Sequence, residues 1–174
     1  PCSMSAMPTI RRIQPDEWPR YRGLRLRALL ESPDAFGSTH ALESARPDDL
    51  WAARIADAAV SPRDLALFAE VNGAPCGLAW CKIFEAEPGV AHLFQMWVAP
   101  ECRGQGLGGQ LLKQAIAWAP AAGAHTLRLG VTVADSPAVR LYRAYGFAPV
   151  GPLEPLREGS ALMAMTMELA LAAD

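Results

Sequence analysis

The chain has 174 residues, about half of them apolar, with 18 acidic against 16 basic side chains and a formal charge of −2 at pH 7. That length suits one domain with a sizeable core, and the near-neutral balance lacks the basic excess of a nucleic-acid binder. No apolar run approaches the ~18 residues that span a bilayer, and residues 1–7 lack the basic-then-apolar order of a leader. We therefore expect a single domain over residues 1–174, cytoplasmic and without membrane contact, with residues 1–7 a flexible extension.

In chain order, residues 9–14 read as a short strand, and Pro15-Asp16-Glu17-Trp18 as a helix entry with acidic residues in its first turn. The helix runs to about Leu30. Tyr21, Leu24, Ala28 and Leu29 share one side of it, and Arg20, Arg22, Arg25 and Arg27 fall largely elsewhere as a solvated face. Residues 32–38 are turn chemistry, and Pro47-Asp48-Asp49 opens a second helix to about Ala59. Two runs of strand formers, 65–71 and 75–84, flank Asn72-Gly73, the signature of a tight hairpin. Residues 85–89 turn the chain into a strand over 92–98. A helix over 107–119, a strand over 126–133, a helix over 136–145 and strands over 147–150 and 162–169 complete the reading.

Cys2, Cys76, Cys81 and Cys102 form no C-x-x-C pair, so neither a disulfide framework nor a zinc site is expected. Cys102 precedes Arg103 near a helix start, a setting that can lower a thiol pKa. An inert loop residue is the simpler reading.

The chemistry concentrates where the 92–98 strand empties into Arg103-Gly-Gln-Gly-Leu-Gly-Gly109 and a helix. Glycines without Cβ let the turn take positive φ and bring its amides close to an anion. The first-turn N–H groups and dipole of the helix favour a phosphate there, and Arg103 adds a fork-shaped cation. Two grammars fit. Gly104-x-Gly106-x-x-Gly109 satisfies the dinucleotide fingerprint, which would make the chain a nicotinamide-binding reductase. That fingerprint expects an acidic residue about 20 positions on, and Asp135 lies further along.

The second grammar is Arg103-x-x-Gly106-x-Gly108 after Pro100, followed by Ala138-x-x-x-Tyr142-x-x-x-Gly146-Phe147. Together with the order of the elements, these two motifs resemble the GNAT superfamily of N-acetyltransferases over nearly the whole chain. The resemblance implies an α/β (α+β) fold: a mixed, mostly antiparallel sheet of about seven strands, flanked by about four helices and splayed between the fourth and fifth strands. It implies acetyl-CoA as co-substrate, no metal, and a primary amine of a small molecule or peptide as acceptor, with a homodimer as an option the family often takes.

Carried over by residue, the resemblance puts Arg103, Gly104, Gln105, Gly106, Leu107 and Gly108 around the coenzyme A pyrophosphate. Met96, Trp97 and Val98 would pair with the pantetheine arm, a backbone N–H near Val98 serving the oxyanion. Asp135, Ala138, Tyr142 and Tyr145 would line the cofactor from the next helix, Tyr142 as the acid that protonates the departing thiolate. Asp135 stands where the family more often has asparagine, and an N-cap role for the 136–145 helix fits it as well. For the base, His92 occupies the place of a family glutamate, with Glu85, Glu87 and a water relay as rivals. The acceptor would lie around Phe36 and residues 153–160, with Asp34, Glu154 and Glu158 as carboxylates near it. A non-catalytic acetyl-CoA sensor would retain the same cradle.

Overall fold

The computed structural model describes residues 7–172. Residues 1–6, which hold Cys2 and most of the expected N-terminal extension, lie outside the described residues, as do 173 and 174. The elements follow in the order β1 (Pro8–Arg12), α1 (Trp18–Glu31), α2 (His40–Ser44), α3 (Asp48–Val60), β2 (Asp64–Val71), β3 (Ala74–Ile83), β4 (Val90–Val98), α4 (Leu107–Ala121), β5 (Thr126–Thr132), α5 (Pro137–Ala144), β6 (Ala148–Pro155) and β7 (Met163–Ala170).

Seven strands form one sheet in the order β1-β2-β3-β4-β5-β7-β6. Every neighbouring pair is antiparallel except β4 with β5. The β2–β3 hairpin turns on Asn72 and Gly73, at φ 53° and 78°. Two consecutive positive φ values suit the twist of the flanking strands and favour Asn-Gly. A sheet with one parallel pair is not doubly wound, so the fold does not support the nicotinamide-dinucleotide reading.

On one face of the sheet, Tyr21 of α1 sits edge-on to both Trp51 of α3 and Trp80 of β3, with ring centroids 5.7 Å apart in each case. Tyr21, Trp51 and Trp80 bury nearly all their surface here, which makes this cluster the main anchor of α1 and α3. On the opposite face, α4 buries Leu107, Leu111, Leu112, Ala115 and Ala119 along one stripe.

Four details depart from the sequence reading, the first being that Arg25, expected on the solvated face of α1, is buried. The one-turn helix α2 adds a fifth helix, capped by Thr39, whose hydroxyl accepts from the Leu42 N–H, and tied to α1 by a buried Arg25–Glu43 pair at 2.7 Å. Five residues are too few for an apolar period, so nothing local announces it. The sixth strand runs on to Pro155, where a loop was expected, with all its residues exposed. The cap of α5 is Ser136, whose hydroxyl accepts from the Val139 N–H at 3.3 Å with Pro137 in the first turn. Asp135 lies one residue too early, its side chain exposed and paired with Arg140 at 2.7 Å.

Candidate active site

The site is built around the partial pairing of β4. Its parallel ladder with β5 joins Val90 to Thr126, Ala91 to Leu127, His92 to Arg128 and Leu93 to Leu129, and goes no further. Beyond Leu93 the strands part, while β5 continues along β7 to Thr132. Residues 94–98 therefore keep their ladder with β3 and expose their other edge.

A bulge re-aims that exposed segment. Trp80 pairs with Phe94 and Leu78 with Trp97, so Gln95 and Met96 together face Ala79. Gln95 takes φ 58°, and its side-chain carbonyl accepts from the buried Tyr21 hydroxyl at 2.5 Å. The extra residue reverses which face each side chain takes. Phe94 stacks on Trp80, and Trp97 lies under Arg27, both on the α1 face. Met96 turns to the other face, where its Cε lies 3.9 Å from the point a Cβ on Gly108 would occupy.

At the strand end, the Ala99 N–H donates to the Cys76 carbonyl at 2.7 Å. Because strand residues alternate sides, the N–H and carbonyl of Val98 face the gap. The carbonyl already accepts from Arg103 Nε at 2.9 Å. The N–H is the group that Val98 presents there.

The glycine turn follows. Gly104 and Gly106 sit at φ 82° and 79° with open space where a Cβ would be, so the backbone conformation is what requires glycine. Gly106 is the N-cap of α4 and brings no capping side chain, nor does the first turn hold an acidic residue. The first intrahelical bond closes at Gln110. The N–H groups of Leu107, Gly108 and Gly109 are left without intrahelical partners at the helix start, with the dipole behind them. Residues 103–106 are exposed and Leu107 is buried, which anchors the turn to the core.

Gly108 and Gly109 serve a different need. A Cβ on Gly108 would lie 3.3 Å from Leu141 Cδ2, and one on Gly109 would lie 3.1 Å from the Tyr145 hydroxyl. These two glycines let α5 close against the start of α4. The contact brings Tyr145 and Leu141 beside the turn. Tyr142, at the other side of the same helical turn, is buried against Phe147 with ring centroids 5.8 Å apart. Burial pushes its phenol further above the ordinary tyrosine value, so the hydroxyl holds its proton across the physiological range. Ala138, expected to line the cofactor, is exposed, and Val139 beside it is buried.

Other expected residues are spread around this centre. His92 lies in the paired half of β4, six residues before Val98, about 20 Å along a strand. It is half-buried against Phe84, with Nε2 3.7 Å from Glu87. Desolvation, with the Arg128 charge beside it, lowers its pKa below the usual value. Phe36 is buried beneath the Arg25 guanidinium, so it packs the turn that follows α1. That turn bridges the far end of the gap: the Asp34 carbonyl accepts from Thr132 of β5, and the Pro33 and Phe36 carbonyls accept from Arg157 of the β6–β7 loop. Among the described residues, no cluster of three or more His, Cys, Asp or Glu is arranged to hold a metal, and no helix is long and apolar enough to cross a membrane.

Two participants escape the sequence. The Gln95 bulge has no glycine to mark it. Glu31, which holds Arg103 at 2.9 Å, is 72 residues away in the chain.

Known proteins share this fold. The chain is 28% identical over 123 residues to mycothiol acetyltransferase of Pseudarthrobacter chlorophenolicus, a match covering 69% of this chain and 36% of that protein. This chain thus spans little more than a third of that curated relative's length. The fold superposes on an acetyltransferase of the GNAT family from Streptococcus pneumoniae with TM-score 0.84 at 22% identity, covering 95% of this chain and 100% of that one. It superposes on yncA of Salmonella typhimurium, solved with its cofactor acetyl-CoA, with TM-score 0.79 at 22% identity, covering 97% and 96%. The model of the acetyltransferase (GNAT) family matches residues 13–147, and with the splayed β4, the glycine turn and the α5 tyrosine between those limits, the chain belongs to that family.

Proposed function

We propose that this chain transfers the acetyl group of acetyl-CoA directly to a primary amine of a small molecule or peptide. One observation carries the reading: an uncapped, glycine-led helix start stands at the end of a strand whose outer edge is free. The first feature suits a pyrophosphate, and the second suits an amide-bearing arm that pairs as an added strand would. Coenzyme A has both parts in that order.

In this reading the amides of residues 104–109 hold the pyrophosphate, and the outward-facing backbone groups of Met96 and Val98 hold the arm. The amine nitrogen attacks the thioester carbon, and the carbon–sulfur bond breaks. The Val98 N–H donates to the thioester oxygen as negative charge gathers on it. Tyr142, whose phenol stays protonated across the physiological range, gives its proton to the departing sulfur. The proton released by the amine goes to His92 through intervening water, since the separation along β4 excludes direct contact; the lowered pKa keeps this imidazole neutral and able to accept. No covalent enzyme intermediate is needed, and holding donor and amine at attack distance supplies much of the acceleration.

The test is thiol release from acetyl-CoA across a panel of small amines, amino acids, antibiotics and peptide N-termini. Acceptor-dependent release with a matching acetylated product supports the reading. Saturable acetyl-CoA binding with no release for any acceptor would point instead to a non-catalytic sensor.

A further inference from the structure

Arg103 does not reach toward the glycine turn. Its Nε lies on the Val98 carbonyl and its Nη2 on Glu31 Oε2, each at 2.9 Å. The same Glu31 oxygen accepts from the Trp97 indole at 2.9 Å and from the neighbouring Ser32 hydroxyl. Ser32, Trp97 and Arg103 together hold the Glu31 carboxyl well below the usual range, at about 2, so it is fully charged at neutral pH. One turn earlier on α1, Arg27 pairs with Glu101 at 2.6 Å and lies 5.6 Å from the centre of the Trp97 ring. The end of α1 thus grips the end of β4 at Trp97 and the connection to α4 at Glu101 and Arg103.

We propose that Glu31 is a positioning residue for the donor, holding Arg103 on the Val98 carbonyl and so fixing the end of β4 against the entry of the glycine turn. The proposal rests on the acetyl-CoA reading given above. Its physical content is preorganisation. A glycine-rich turn left free would have to be ordered when the donor binds, and that entropy would be lost from affinity. Tied through Arg103 to both β4 and α1, the turn is ordered on folding. The guanidinium also covers the carbonyl beside the Val98 N–H, so the donor meets an amide hydrogen with less competition from an adjacent acceptor. An isolated surface ion pair would add little. Here the carboxylate gathers three donors, and the bond it orients lies against the binding edge.

The substitution E31Q keeps the shape and removes the charge. Acetyl-CoA binding by calorimetry and steady-state kinetics should show Kd and KM for acetyl-CoA raised roughly five- to thirty-fold, with kcat within about two-fold. E31D, which restores the charge on a shorter arm, should recover part of the loss. Added to R103Q, E31Q should cost nothing further, because its effect passes through Arg103. A purely structural role predicts a lower melting temperature without this split between KM and kcat. Wild-type affinity in E31Q, or full additivity with R103Q, would overturn the proposal. Absence of acetyl-CoA binding by the wild-type chain would overturn the acetyl-CoA reading itself, so the two failures are distinguishable.

Discussion

The two halves of β4 lie on one strand and differ in what borders them. Residues 90–93 pair with β5, and residues 91–93 pair with β3 on their other edge as well. Residues 94–98 retain β3 alone, and a bulge at Gln95 turns Met96 toward α4. The first half is scaffold: it fixes the sheet and carries His92 in a box of Phe84, Glu87 and Arg128. The second half is the edge proposed to bind the donor, because a strand with one unpaired side offers amides and carbonyls to whatever can pair with them. One strand thus carries four residues paired to β5 and then five with a free edge.

Substitutions sharpen this division. The largest effect belongs to the proposed acid. Tyr142→Phe removes the hydroxyl but keeps the packing against Phe147, and should lower kcat roughly ten- to ten-thousand-fold with acetyl-CoA KM little changed, as thiol release reads directly. Unchanged turnover would remove Tyr142 from the chemistry. Next in size, Gly106→Ala places a side chain at φ 79° with free space around it, so the cost of about 1–2 kcal/mol falls on the turn conformation alone. Acetyl-CoA KM should rise about tenfold.

The paired half should respond more weakly. His92→Gln should lower kcat roughly three- to thirty-fold, as suits a base acting through water. The pH profile gives the sign. A folded pKa below the usual histidine value keeps the imidazole neutral until the pH falls past that lower value, so the acid limb of the wild-type rate should lie below pH ~6.5 and vanish in the variant. An acid limb unmoved by the substitution would assign the proton elsewhere. Asp135→Ala removes an exposed ion pair with Arg140 and should change kcat/KM less than about two-fold.

How much of this was legible in the sequence follows the range of the forces involved. The Asn72-Gly73 turn, the glycine loop, the stripe of α4 and the strand–helix order are local, and residues within a few positions decide them. The splay was legible only through resemblance, since nothing in residues 94–98 forbids pairing with β5. The bulge hides because Gln95 takes a positive φ without being glycine, held there in part by Tyr21, 74 residues away. Arg103 was legible as a cation, and its basic fork suggested phosphate. Its actual partners, the Val98 carbonyl and Glu31, are set by how α1 packs. At α5, one residue decides the cap: Asp135 and Ser136 are both good capping types, and the structure selects Ser136, which directly precedes Pro137 at the helix start.

Amide hydrogen exchange with and without acetyl-CoA tests most directly whether the open half of β4 and the glycine turn form one donor site. Saturating acetyl-CoA should slow exchange at Val98 and at residues 104–109 and leave residues 90–93 as they are in the free protein. Protection confined to other segments, or no change at any concentration of acetyl-CoA, would contradict it.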